Sequence, residues 1–329
     1  MGSYIARRLA AAAGMLVALS IVIFLLFSAL PSDPARLTCG KSCTPQIVEA
    51  NRHRLGLDKP LAAQYGDFVS GIFVGRTFGS GTAAFKCSAP CLGYSFRLGE
   101  DVRTLLVQRL PVTAGLALGA FVIWIVAGVA LGIFAALRRG SMADRTVLGL
   151  ALVGYSFPAF FIGLLALFLI VIRWRLLPYP SYVSPFENPG QWFQTMLLPW
   201  MTLALLYAAY YIRLTRNQML ETLGEDFIRT ARAKGLREGV VVRRHGLRAG
   251  LTPIVTSAGL DLAGLLGGAV ITESIFTLPG IGSLAIDSVI NADLPVITAT
   301  VLLAASFIII ANVVVDILYA VIDPRVRLA

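Results

Sequence analysis

The sequence predicts an all-α polytopic membrane protein with six transmembrane helices and an extracytoplasmic insertion between the first two. Three observations carry that prediction. The 329 residues are 57% hydrophobic and only 14% charged, with a mean hydropathy of +0.77, whereas a soluble domain is roughly a quarter charged. Apolar runs on the scale needed to cross the hydrocarbon, about 20 residues each, recur at Leu9–Leu30, Val112–Leu137, Val147–Ile172, Met196–Ile212, Pro253–Phe276 and Val296–Ala320. The alternating pattern of a membrane β-barrel is absent, and a helix satisfies its own backbone hydrogen bonds in lipid.

The first run follows Arg7 and Arg8, as a signal peptide would. It is longer than a signal core, and no clean small-x-small cleavage site precedes Pro31, so it is expected to stay as the first helix. The expected organisation is residues 1–30 for the N-terminal end and first helix, 31–110 for an extracytoplasmic domain, and 111–329 for a five-helix core. That core includes a polar loop at 213–252.

Orientation follows from Lys and Arg in the short connections. Arg7 and Arg8, then Arg138, Arg139 and Arg145, then Arg325 and Arg327 fall on one side if all six runs cross. The segment Arg213 to Arg248, with nine basic and four acidic residues, falls on that side too. That side is cytoplasmic, and the net charge of +10 reports this topology rather than an affinity for nucleic acid. Residues 31–110 hold ten basic residues, but a segment that long translocates largely regardless of charge.

Within the external segment, Pro31-Ser32-Asp33-Pro34 reads as a turn. Gln46–Leu55 reads as a short helix with Thr44 as N-cap and Pro45 at its first position, and Gly56 to Pro60 breaks it. Leu61–Val74 resumes a helical pattern, Gly75–Gly81 is loop-like, and Glu100–Leu110 leads into the second span. All four cysteines, Cys39, Cys43, Cys87 and Cys91, lie here. On the outer side disulfides persist, and four cysteines allow three pairings. A bridge between the two clusters would close a loop long enough to contribute near 4 kcal/mol, about what chain entropy allows. The spacing is wider than that of the usual four-cysteine zinc site, so disulfides are favoured and no metal is expected.

In the apolar body, Gly115-x-x-x-Gly119, Gly128-x-x-x-Gly132 and Gly264-x-x-x-Gly268 put small residues on single helix faces, where helices approach closely in lipid. Pro158 should kink the third span. Asp261, Glu273 and Asp316 are ionisable residues in or near spans. A charge at the bilayer centre costs about 2.5–3.5 kcal/mol on insertion scales. They therefore face other helices or water, either fixing helix packing or, for Asp261 and Glu273 above all, lining a pathway.

The polar loop has helical logic of its own. Glu225 and Asp226 suit the positive end of a helix dipole. Phe227, Ala231 and Lys234 share a face with Ile228 close by, and Gly235 is a natural terminator. Glu238–Arg248 is a second, basic amphipathic segment, which suits either anionic lipid or a cytoplasmic partner. The chain carries no G-x-x-x-x-G-K-[ST] phosphate loop, no H-E-x-x-H pair and no G-x-S-x-G elbow. It is therefore read as a non-enzyme that neither hydrolyses ATP nor cleaves peptide bonds.

Here the chain resembles the permease subunits of ABC importers, in the dipeptide/oligopeptide/nickel branch. Thr230-Ala231-Arg232-Ala233-Lys234-Gly235-Leu236 looks like that branch's EAA loop, followed by His245-Gly246-Leu247-Arg248 and Pro253. Leu55 to Pro60, Gly267-Gly268-Ala269-Val270 with Glu273 and Phe276, and Pro279-Gly280-Ile281-Gly282 also match. So do Asn312, Asp316 to Ala320 and Asp323-Pro324-Arg325, so that the likeness covers nearly the whole chain. The departures are Thr230-Ala231-Arg232 where the general pattern has an acidic residue and two alanines, Ala249 where an Asn is common, and an enlarged segment around Cys39–Cys91.

The resemblance implies a type I importer fold in a bacterial inner membrane, with both termini cytoplasmic. It implies a second homologous permease chain, two ATPase subunits that bind ATP and Mg, and an extracytoplasmic binding protein that delivers substrate. It implies no cofactor on this chain. The coupling residues it implies are Glu225, Asp226, Thr230, Ala231, Arg232, Ala233, Lys234 and Gly235. Arg232 and Lys234 would meet acidic groove residues, while Ala231, Ala233 and Gly235 permit close approach. Peptides are the first-choice cargo and nickel or another small solute the alternative. From outside this class, a membrane receptor or structural subunit is the rival.

Overall fold

The computed structural model describes residues 2–28, 35, 44–78 and 85–322. Its elements, in order, begin with α1 (Gly2–Ser28), α2 (Pro45–Leu55), α3 (Leu61–Val74), β1 (Arg76–Phe78), β2 (Phe85–Cys87), β3 (Tyr94–Ser95) and β4 (Glu100–Asp101). They continue with α4 (Val102–Leu137), α5 (Met142–Ser156), α6 (Ala159–Ala166, extended by wide π turns over Leu167–Arg173) and α7 (Pro189–Gly224). After α8 (Asp226–Ala233) and α9 (Glu238–Gly250) come α10 (Thr252–Leu266), α11 (Val270–Ile275), α12 (Ile281–Ile290) and α13 (Leu294–Ile322). Among the described residues, four helices are long and apolar enough to cross a membrane, and the bent pairs α5–α6 and α9–α10 raise the number to six if each is one span.

The chain divides into two compact units, Met1–Pro111 with Gly280–Ala329, and Val112–Pro279. This differs from the expected single core at 111–329. The C-terminal helices α12 and α13 group with α1, which packs along α13. The guanidinium of Arg8 meets the Asp316 carboxylate at 2.9 Å and joins the same two helices.

In this first unit the external segment forms as its local signals direct. The Thr44 hydroxyl accepts from the Ile47 N–H at 3.4 Å, Pro45 opens α2, and Gly56 closes it at φ 68°. Within Gly75–Gly81, expected as loop, Arg76–Phe78 instead pairs antiparallel with Phe85–Cys87, and residues 79–81 lie outside the described residues. The pairing brings the Cys87 carbonyl so close that a Cβ on Gly75 would lie 2.6 Å from it, and Gly75 also sits at φ 82°. Only glycine meets both demands. A disulfide joins Cys87 to Cys91, so these two are not bridged to the other cluster and the long-loop entropy gain does not arise from them. Cys39 and Cys43, with residues 31–34 of the expected turn, lie outside the described residues.

The short β3–β4 pair is anchored from its buried side. The Ser95 hydroxyl donates to the Asp293 carboxylate just ahead of α13. Val102, Leu105 and Leu106 at the start of α4 pack with Leu284 of α12 and Val296 and Ala299 of α13. The amphipathic lead-in expected at Glu100–Leu110 is thus the first part of α4 itself. That helix has 36 residues.

The second unit is built on a close crossing of α4 and α7. A Cβ on Gly119 would stand 2.1 Å from the Trp200 indole, one on Gly128 2.6 Å from Tyr211, and one on Gly132 2.6 Å from Thr215. Gly115 faces Trp192 and its carbonyl accepts from the Trp200 Nε1–H at 2.9 Å. Two of the small-residue motifs therefore serve one interface, with Leu116, Ala120, Trp124, Met196, Leu203 and Tyr211 buried along it. The third does not, since nothing lies within 4 Å of a Cβ on Gly264.

Two expected spans are broken. α5 and α6 meet at 96° across Phe157 and Pro158, where proline removes a helix N–H and pushes its predecessor out of the helical region. The expected span Pro253–Phe276 ends at Leu266. Gly267 and Gly268 follow, the latter at φ 127°, and a separate α11 resumes at Val270.

Candidate coupling site

The loop after α7 folds as two helices stacked on the end of α7. Glu225 takes an extended conformation (φ −69°, ψ 152°) and stops α7. Asp226 then opens α8 with its carboxylate in the first turn, where the helix dipole favours it, and Arg229 reaches it at 3.2 Å. The Thr230 hydroxyl donates to the Asp226 carbonyl at 2.9 Å. Gly235 ends the helix at φ 74°, with nothing within 4 Å of where a Cβ would be. Its role is conformational, because the left-handed region strains any side chain whatever the space.

One face of α8 is turned inward. Ile228 and Ala231 are buried with Val241 of α9 and Leu223 of α7. Phe227, Thr230, Ala233 and Lys234 are exposed, as are Glu225, Asp226, Arg232 and Gly235. Ala231 was expected among the contact residues that permit close approach by a partner. Within this chain it is buried beside Ile228 and Val241.

Arg232, expected to meet a partner's acidic residues, already holds one of its own. Its Nε donates to Glu238 Oε2 at 3.1 Å and its Nη2 to Oε1 at 2.7 Å. These hydrogen bonds raise the guanidinium further above its ordinary value. The pair straps the end of α8 to the start of α9 across the Gly235 turn.

α9 lies against α7 through two glycines. A Cβ on Gly246 would meet Leu223 at 3.2 Å, and one on Gly250 would meet the Met219 sulfur at 3.1 Å and the Thr222 hydroxyl at 3.3 Å. Arg243, Arg244 and Arg248 remain exposed on the other side. Further along α7, Arg216 holds Asp144 of α5 by two hydrogen bonds at 2.7 and 2.8 Å. Asp144 also accepts from the Gly140 N–H at 2.9 Å. Neither Asp144 nor Arg216 stood out in the sequence. The only trace was the capping pattern at Ser141, whose hydroxyl accepts from the Asp144 N–H.

The intramembrane acids separate into distinct environments. Glu273 is fully buried and accepts from the Thr113 hydroxyl at 2.7 Å, which joins α11 to α4. In this arrangement the Glu273 carboxylate lies between α11 and α4, away from solvent. Asp261 is half-buried and accepts from the Tyr211 hydroxyl at 2.6 Å. Asp316 is paired with Arg8, as packing requires.

The described residues form a helical body with four to six apolar spans by length and composition, and a helical loop packed on the end of one long helix. The profile of the binding-protein-dependent transport system inner membrane component matches residues 128–328, and that family's N-terminal region matches residues 1–117. The chain belongs to this family. A Brucella abortus (strain 2308) protein named as a peptide transport system permease is 39% identical over 327 residues, covering 99% of both chains. The dipeptide transport system permease protein DppB of Escherichia coli (strain K12) is 35% identical over 351 residues, again covering 99% of each. Among solved structures, the inward-facing MetNI methionine ABC transporter aligns with a TM-score of 0.54 at 18% identity. The alignment covers 67% of this chain and 97% of that one, a likeness of fold.

Proposed function

We propose that this chain is the membrane-spanning subunit of an ATP-driven importer that translocates di- or oligopeptides. The observation that carries the reading is the end-to-end similarity, at 35–39% identity, to permeases named for peptide or dipeptide transport. In this reading a second homologous permease chain completes the translocation unit. Two ATPase subunits bind and hydrolyse ATP with Mg, and an extracytoplasmic binding protein delivers the peptide. The termini and the loop at 213–252 are cytoplasmic and residues 31–110 face the binding protein. The bacterial inner membrane is the site of action.

The loop is the coupling element. The exposed face of α8, with Phe227, Thr230, Ala233 and Lys234, enters a groove on an ATPase subunit, and Glu225 and Asp226 border it. Ala231 and the Arg232–Glu238 strap act from inside, holding α8 at a set angle to α7. ATP shifts the permease between states only by binding them unequally, so α8 must sit differently against α7 or its partner in the two states. Asp261 contributes to the pathway.

Co-purification tests the assembly. An affinity-tagged chain should bring down an ATPase pair and a second membrane chain, and the reconstituted complex should take up peptide only with ATP and binding protein. A chain that purifies alone from cells expressing the whole operon would refute the reading.

A further inference from the structure

We propose that the Asp261 carboxylate and the tyrosines around it form a site for the α-ammonium group of the transported peptide. This rests on the peptide reading above and gives it a chemical contact. Asp144, Asp261, Glu273 and Asp316 are acidic side chains on helices of the apolar body. Asp144 and Asp316 each hold an arginine, Arg216 and Arg8. Glu273 is sealed from solvent and hydrogen-bonded by Thr113. Asp261 differs from all three. It is half-exposed, its only hydrogen bond among the described residues comes from the neutral Tyr211 hydroxyl at 2.6 Å, and no Lys, Arg or His of the described residues reaches it.

Asp144, by contrast, accepts three hydrogen bonds, two from Arg216 and one from the Gly140 N–H. Asp261 has acceptor capacity left over and is only partly buried. Its surroundings suit a cation. Tyr207 lies within electrostatic reach of the carboxylate, and its ring stacks on Trp124 at 4.5 Å. Tyr210 is 41% exposed and its ring meets that of Tyr211 edge-on at 5.3 Å. Aromatic faces attract ammonium groups, and a carboxylate beside them supplies a charge-assisted hydrogen bond. A second polar group in the same cluster is also incomplete. The Trp124 Nε1–H is buried with no acceptor among the described residues. The cluster thus holds an acceptor short of a donor and a donor short of an acceptor. A peptide terminus offers both an ammonium and a carbonyl.

The test uses the complete transporter, with both permease chains, the ATPases and the binding protein, in proteoliposomes. The probe is radiolabelled alanyl-alanine. Asp261→Asn should lower uptake by about tenfold, the scale of one hydrogen bond to a charged group, while Asp261→Glu keeps most of it. Asp261→Cys should be rescued by a sulfonate-bearing methanethiosulfonate and not by a trimethylammonium one, and excess alanyl-alanine should slow the modification. The disulfide-bonded Cys87 and Cys91 are closed to such reagents. Wild-type uptake by Asp261→Asn, or modification of Asp261→Cys indifferent to peptide, overturns the site. An Asp261→Asn chain that no longer co-purifies with the second permease overturns it too, assigning the carboxylate to the subunit contact. Wild-type complex that moves no peptide at all defeats the peptide reading instead.

Discussion

Arg216 grips Asp144 in a two-pronged ion pair, Nε to Oδ1 at 2.7 Å and Nη2 to Oδ2 at 2.8 Å, with the Asp144 side chain almost wholly buried. The pair joins the start of α5 to the stretch of α7 that leads into α8.

Removing one partner leaves the other charge buried and alone. Arg216→Ala or Asp144→Ala should destabilise the chain by about 3–5 kcal/mol, whereas replacing both by apolar residues should cost far less. Thermal unfolding of the detergent-solubilised single and double variants measures this, and equal losses in all three would contradict it.

The α4–α7 crossing depends on missing side chains. Gly119→Ala puts a Cβ 2.1 Å from the Trp200 ring, which has no room to retreat beside Gly115 and Phe193. A loss of about 1–3 kcal/mol is expected, the range for overpacking. Gly264→Ala, in open space, should be silent in the same melting experiment.

The two faces of α8 should separate stability from coupling. Lys234→Glu, on the exposed face, should reduce uptake per ATP hydrolysed with an unchanged melting temperature. Ala231→Glu, on the buried face, should lower both, because it drives a charge against Ile228 and Val241. Gly235→Ala should cost about 1 kcal/mol through backbone strain alone. Uptake and ATPase rates in proteoliposomes, with parallel melting curves, distinguish the three. Identical behaviour of Lys234→Glu and wild type would remove Lys234 from the contact.

Thr113 holds Glu273 in the closed interior of the second unit. Thr113→Val leaves the acid without that donor and should cost about 1–3 kcal/mol, the penalty for an unmade buried hydrogen bond, while Thr113→Ser should restore most of it. Chemical denaturation of the three proteins side by side reads the difference.

Composition, the apolar runs, the Thr44–Pro45 cap and the Gly235 turn were legible because each depends on neighbours within a few residues of chain. Local backbone preference set helix ends such as Thr44–Pro45 and Gly235, and the ordered motifs from Leu55 to Asp316 marked the family. What each polar or small side chain meets was decided only by tertiary structure. Gly115 to Gly132 and Gly264-x-x-x-Gly268 read alike in sequence, yet the first set fits under α7 while Gly264 faces open space. Asp144 drew no notice in the sequence, and its partner Arg216 comes from 72 positions away on α7. Ala231 and Lys234 share a helix face by periodicity, but the packing of α9 buries one and leaves the other exposed. Contacts between distant segments depend on which helices cross and at what angle, and periodicity along a single helix carries no information about that.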